Sequence, residues 1–314
     1  MISFGLFFDD SFDLGLGHIS RLIAIAQELQ SRELSYCFHG NGEMKNSTSE
    51  FIHSFGLKSD CQCNRKIDIG IIDTYNADFR VDFSTSMIRV LLIDETSPRI
   101  LADAYVIASP ILSWVPPVEG GQILQFQNSP IMRKEIIRAA LSSERVKGSN
   151  GMLVILGGIR VDVFKKILLE LGSAMSEIWP GLRMSVVCHS SEQIEVAHRL
   201  NFHPVHPTKN LLGLTSEFSV IISSAGVIAW ELAALNLPGF SIAVIDNQEF
   251  QVKYLRENSI RDGVSATSLE FSDLIRSEIF KLKENLSEPK IRPDLDGSRN
   301  VVNFILESFN LQTY

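Results

Sequence analysis

No run of Lys and Arg and no basic tail occurs anywhere in this 314-residue chain. Acidic residues outnumber basic ones, 37 against 29, for a net charge of −8. Nucleic acid is therefore a poor candidate ligand, because binding along phosphates needs a clustered positive surface. A local anion pocket stays open, since backbone N–H groups at a helix start build one without net positive charge. Long apolar runs are missing too. None reaches the length needed to span a bilayer, so no stable membrane insertion is expected. The opening MISFGLFFDD lacks a basic region and ends its apolar run in two aspartates, which is not the pattern of a secretory signal. Cysteine is scarce: Cys37, Cys61, Cys63 and Cys188 are all there is. Their spacing fits neither a disulfide framework nor paired Cys-x-x-Cys zinc ligands. A metal site from Cys61, Cys63 and His53 is weaker than the plain reading, free thiols in a reducing, cytoplasmic setting. There is no internal sequence repeat.

What is present is an ordinary globular balance, 45% hydrophobic and 21% charged. The apolar runs are short and continuous: ISFGLFF, DIGIIDT, MIRVLLID and AYVIASP, with the amphipathic ISRLIAIAQELQ after the first. Continuous runs point to strands buried on both faces, as in a parallel sheet covered by helices. The pattern restarts at GSNGMLVILGG and repeats strand and helix through RMSVVCHS, FSVIISSAG and GFSIAVI. The expectation is an α/β chain of two doubly wound, Rossmann-like domains. They would span residues 1–147 and 148–298, with a last helix, 299–314, returning to the first domain. Ligands bind outside the carboxyl ends of such strands, which predicts a site in the cleft between two facing domains.

Four segments could carry chemistry. After the first strand, which ends at Asp9, comes Gly15-Leu16-Gly17-His18 and then Arg21. Glycines let a backbone turn tightly and approach a ligand. A neutral imidazole at that helix start could act as a base or a hydrogen-bond donor. Arg21, one turn on, could meet an anion or brace the loop. A glycine-rich turn with a solvated His and Arg fits the spacing equally well. The second segment is a strand ending at Ser224-Ala225-Gly226, followed at once by a helix with Glu231 a turn inside. Small residues there expose N–H groups to a diphosphate, and Glu231 could accept from ribose hydroxyls. The third, Asn247-Gln248 after GFSIAVI, offers two amides suited to orienting a sugar, or simply an N-cap. The fourth is Asp73-x-Tyr75 at another strand end. His203 to Pro207, HPVHP, mimics a metal pair, but its prolines bar helical presentation.

Taken in this order, Gly15-x-Gly17-His18-x-x-Arg21, Asp73-x-Tyr75, Ser224-x-Gly226 with Trp230-Glu231 and LNLP, and Asp246-Asn247-Gln248 resemble the PseG-like nucleotide-sugar hydrolases of pseudaminic acid biosynthesis. Those are similar in turn to MurG-like glycosyltransferases of the GT-B fold. NSPIMRKEI, ILGG and DLDGSRNVV extend the resemblance over most of the chain. It implies a GT-B fold and cleavage of a UDP-linked amino, deoxy sugar at the anomeric carbon, releasing UDP and a free diacetamido-trideoxy hexose. By this resemblance His18 is the base aiding attack of water, Tyr75 orients it, and Asn247 holds the sugar or the water. Asp9, Gly15, Gly17, Arg21 and Gln248 would lie against the substrate. Ser224, Ala225, Gly226 and Val227 would cradle the diphosphate, with Glu231 on the ribose and Gly158 opening the nucleotide-binding domain. No metal or other cofactor is implied. Family members usually carry a hydroxyl residue where this chain has Val227, which leaves the phosphate to backbone N–H groups. The alternative is a GT-B glycosyltransferase with a carbohydrate or lipid acceptor. A binding protein that has lost the chemistry fits least, because it has no use for His18.

Overall fold

The computed structural model describes residues 2–9, 17–40, 44–59, 67–74, 87–94, 100–110, 122–126, 128–142, 151–208, 210–284 and 290–311. The chain divides into two compact units, Met1–Glu135 with Asp294–Tyr314, and Ile136–Pro293. Among the described residues each holds one six-stranded, wholly parallel sheet.

The first unit's strands are β1 (Ser3–Phe8), β2 (Ser35–Gly40), β3 (Ile69–Asp73), β4 (Ile88–Ile93), β5 (Ala104–Ile107) and β6 (Gln122–Leu124). They lie in the order β2-β1-β3-β4-β5-β6. Every residue of β1, β3 and β5 is buried, as expected of strands covered on both faces. The strand order reverses between β1 and β3, so the switch point, where open α/β sheets bind ligands, lies at their carboxyl ends. Helix α1 (Gly17–Ser31) follows β1, and α2 (Asn46–His53) follows β2.

The second unit carries β7 (Gly151–Ile155), β8 (Arg183–Val187), β9 (His203–Val205), β10 (Val220–Ser224), β11 (Phe240–Ala243) and β12 (Asp262–Ser265). Their order, β12-β11-β10-β7-β8-β9, puts its switch point between β7 and β10. Its helices follow α3 (Lys134–Leu141), which straddles the division: α4 (Val161–Ile178), α5 (Ser191–Arg199), α6 (Leu211–Thr215), α7 (Val227–Ala234), α8 (Glu249–Glu257) and α9 (Phe271–Lys283). The last helix, α10 (Gly297–Ser308), belongs to the first unit.

Helix α1 is buried nearly all round, from His18 and Ile19 to Leu29. A helix lying on a sheet normally keeps a polar outer face. Here α10 packs against α1 and adds Val301, Val302 and Ile305 to the same core. The returning segment is tied down by the Asp294 N–H to the Asn128 carbonyl (2.9 Å) and by Ser298 Oγ to the Met132 carbonyl (3.2 Å). Gly297 explains itself at this joint. A Cβ there would lie 2.1 Å from the Pro130 carbonyl oxygen and 2.6 Å from that of Ser129.

Cys188 is free and buried, and burial pushes its thiol up to about 11. Cys37 is disulfide-bonded, which corrects the reading of four free thiols. Spacing along a chain does not reveal which cysteines the fold brings together. Cys61 and Cys63 lie outside the described residues. Among those residues, no helix is long and apolar enough to cross a membrane.

Gly297→Ala is expected to lower the protein's stability by about 1–3 kcal/mol, the usual cost of overpacking. That corresponds to a fall in Tm of a few degrees. An unchanged thermal melt would show that α10 shifts without cost.

Candidate functional site

The first unit concentrates buried charge at its switch point. His18 is the second residue of α1, and Arg21 lies on the same turn. Asp73 ends β3, Asp94 follows β4, and Ser109 stands two residues beyond β5. Adjacent parallel strands lie about 4.8 Å apart, so three consecutive strand ends set these groups in a row under the start of α1. The Arg21 guanidinium donates from Nε to Asp73 Oδ2 (2.8 Å) and from Nη2 to Asp73 Oδ1 (2.9 Å). Its Nη1 donates to Asp94 Oδ2 (2.9 Å), whose other oxygen accepts from Ser109 Oγ (2.9 Å). His18 Nδ1 lies 2.6 Å from Asp73 Oδ1. All five residues are buried.

Burial alone would push the Asp73 carboxyl up. The charges of Arg21 and His18 and their hydrogen bonds outweigh it and hold the group well below the usual carboxylate range. An ionised Asp73 can only accept, so the hydrogen bond assigns the proton on Nδ1 to His18. The basic nitrogen of the neutral ring is then Nε2. This is the arrangement by which a carboxylate fixes a histidine's tautomer and steadies the imidazolium formed when it takes a proton. Asp9, at the end of β1, accepts a hydrogen bond from Thr74 Oγ1. Gly17 opens α1, whereas Gly15 and Tyr75 lie outside the described residues.

The second unit offers backbone instead of charge. Strand β10 ends at Ser224, and Ala225 still donates to the Ile242 carbonyl at 2.9 Å. Gly226 is the N-cap of α7, in an extended conformation, and among the described residues no side chain caps the helix start at Val227. The first N–H groups of a helix have no partner within it, and they suit an anion. Among the described residues a Cβ on Gly226 would meet only Gln248 Nε2, at 3.7 Å, and one on Gly158 would meet nothing within 4 Å. Among the described residues neither a close neighbour nor a positive φ requires glycine at either place. Gln248 accepts from the Val244 N–H at 3.1 Å and so fixes the end of β11 beside Gly226. Asn247 shares its short 3-10 turn and has a buried Oδ1 with no hydrogen-bond partner among the described residues. Glu231, one turn into α7, is buried rather than a surface glutamate.

Sequence reasoning passed over four residues that hold these sites. Asp94 and Ser109 carry the same signal as Asp73, a polar residue closing a buried apolar run. Gln193 is buried; it donates to the Ile159 carbonyl (3.1 Å) and accepts from the His189 N–H (2.7 Å), joining the loops after β7 and β8. Arg261 is buried, and burial, only partly offset by the charge of Asp262, lowers its guanidinium to about 10. It donates to the carbonyls of Ile221 (2.7 Å) and Leu237 (3.0 Å) and to Ser241 Oγ (3.0 Å), stapling β10 to β11. Among the described residues no group of three or more His, Cys, Asp or Glu is arranged to hold a metal.

No protein-family model matches the chain, and no curated protein matches it by sequence. Solved structures do. The S. aureus MnaA–UDP co-structure superposes with a TM-score of 0.68 at 11% identity, covering 100% of this chain and 98% of that one. The UDP-GlcNAc 2-epimerase of Methanocaldococcus jannaschii, in complex with UDP-GlcNAc and UDP, gives 0.60 at 11% identity over 98% and 100%. Acinetobacter baumannii MurG gives 0.58 at 11% identity over 98% and 100%. At such identity the likeness shows the fold, which is α/β of the GT-B type with two Rossmann-like units.

The charge cluster has a pH signature. Asp73's folded value lies below its reference of 3.8, so its contribution is present above about pH 4 and is lost as pH falls below that. Asp73→Asn should cost about 3–5 kcal/mol near neutral pH, as expected for breaking a buried ion pair. It should also flatten the loss of stability between about pH 4 and 2. Urea unfolding of both proteins across that range tests this, and parallel pH curves would contradict it.

Proposed function

We propose that the chain is a nucleotide-sugar hydrolase that cleaves a UDP-linked amino, deoxy sugar at the anomeric carbon. The observation that carries this reading is the buried His18–Asp73 couple at the first unit's switch point. Asp73 holds the proton on Nδ1, so Nε2 is the nitrogen that accepts a proton from water. Water's oxygen then bonds to the anomeric carbon, the bond from that carbon to the diphosphate oxygen breaks, and UDP leaves with the electron pair. The uncapped start of α7, with Ser224, Ala225, Gly226 and Val227, takes the diphosphate; its N–H groups and dipole stabilise the charge that grows on the leaving group. Asn247 Oδ1 accepts from a sugar hydroxyl or amide N–H, and Gln248 supports it. Glu231 binds the ribose, and Gly158 gives the nucleotide space. UDP in the MnaA and epimerase structures supports the choice of nucleotide. Asp9, Gly15 and Gly17 line the sugar side, with Tyr75 assisting His18. Arg21 serves this site by bracing Asp73. The chemistry needs no metal, because proton transfer and leaving-group stabilisation are both assigned to protein groups.

His18→Asn should keep UDP affinity and lose about 10²–10⁴-fold in turnover, the usual share of a general base. Steady-state UDP release from UDP-sugars measures it, and turnover close to the parent's would remove His18 from this role. Gly226→Val should leave the thermal melt nearly unchanged yet weaken UDP binding by about tenfold or more, equivalent to roughly 1.4 kcal/mol. Calorimetry with UDP decides it, and an unchanged Kd would place the diphosphate elsewhere.

A further inference from the structure

The hydrogen bonds around Arg21 run on past Asp73 to a second carboxylate, which the proposed base does not touch. We propose that Asp94 is a positioning residue for His18, acting through Arg21, with Ser109 holding Asp94 in place. This rests on the reading of His18 as the base.

Charge arithmetic supplies the reason. A guanidinium serving Asp73 alone would neutralise it and leave little negative charge to stabilise an imidazolium. Asp94 takes Arg21 Nη1 at 2.9 Å and with it part of the cation's charge. Among the described residues the guanidinium is thus shared between two carboxylates, so less of its charge opposes the attraction of Asp73 for an imidazolium. Geometry adds to this. With Nη1 on Asp94 and both Nε and Nη2 on Asp73, the guanidinium plane is fixed, so the Asp73 carboxylate that it grips is fixed too. Asp73 Oδ1 thereby faces His18 Nδ1. Ser109 Oγ anchors the far oxygen of Asp94 at 2.9 Å.

The other titratable groups described at these strand ends are Asp9 and His39. Asp9 is bonded by Thr74 at the end of β1. His39, on β2, is stacked on Phe7 at 4.7 Å and lowered by its burial. Both are unaltered in the variants below and form a constant background.

The test uses the full chain with ¹⁵N-labelled histidine and nuclear magnetic resonance of the ring nitrogens, His18 being assigned through His18→Gln. In the parent the neutral His18 ring should carry its proton on Nδ1. In Asp94→Asn the ring should titrate at lower pH, by roughly 0.5–1 unit, because a stabilising negative charge is gone. The acid limb of the pH–activity profile should move the same way, with kcat falling and KM held. An unmoved ring titration would overturn the proposal. If Asp94→Asn does not fold, Asp94→Ala with added formate replaces it. Return of the parent titration on adding formate supports the role, and no return overturns it. A parent that releases no UDP would end the hydrolase reading while leaving the ring titration readable, so the two failures are distinct.

Discussion

One buried cation governs the first unit. Arg21 sits one turn into α1, near the end where the helix dipole disfavours positive charge, and it is shut away from water. Neither condition is tolerable for a lone guanidinium. Asp73 and Asp94 make it tolerable by engaging Nε, Nη1 and Nη2 together. That requirement joins the start of α1 to the ends of β3 and β4, and through Ser109 to the region after β5. His18 lies on the same turn of the same helix, so whatever locks Arg21 also sets where His18 can point. A buried ion cluster is weak evidence for stability in its own right. Its clearer physical consequence here is orientation.

The second unit solves a different problem by different means. Its switch point carries small residues and, among the described residues, a helix start that no side chain caps. Such a site is preorganised only if the strands beneath it are fixed. Arg261 does this from inside, spreading its donors over two backbone carbonyls and a hydroxyl on neighbouring segments. Gly239 is part of that arrangement. Its φ of +143° and the Ile221 oxygen, 1.8 Å from where a Cβ would stand, exclude any side chain there. Glycine is thus compelled by the fold at Gly239 and Gly297, but not at Gly158 and Gly226.

The fold was legible in the sequence because buried parallel strands write themselves as continuous apolar runs, and both sheets follow those runs. The candidate site was legible in part. His18 and Arg21 drew notice through the glycines before them, and Ser224 to Gly226 through the strand, small turn and helix in succession. Whether Arg21 met a ligand or braced the loop was open from spacing, since both uses need the same residue at the same place; the contacts found are with Asp73 and Asp94. Those two carboxylates are 52 and 73 positions away along the chain, and only the strand order shows that they converge. Arg261 was not legible for the same reason: nothing local signals a buried cation whose donors are satisfied by backbone. Cys37 failed the other way, because spacing suggested a free thiol and the fold gave it a partner.

Hydrolysis, glycosyl transfer and epimerisation all begin with the same bond in a nucleotide-sugar, and they differ in what reaches the anomeric carbon. Incubating the parent protein with UDP-linked acetamido sugars in ¹⁸O-enriched water, and weighing both products by mass spectrometry, follows that atom directly. The hydrolase account predicts release of UDP without label and of a free sugar carrying one ¹⁸O at its anomeric hydroxyl, with no added acceptor. Label in the UDP phosphate, or a rearranged UDP-sugar formed without net release of UDP, would contradict it.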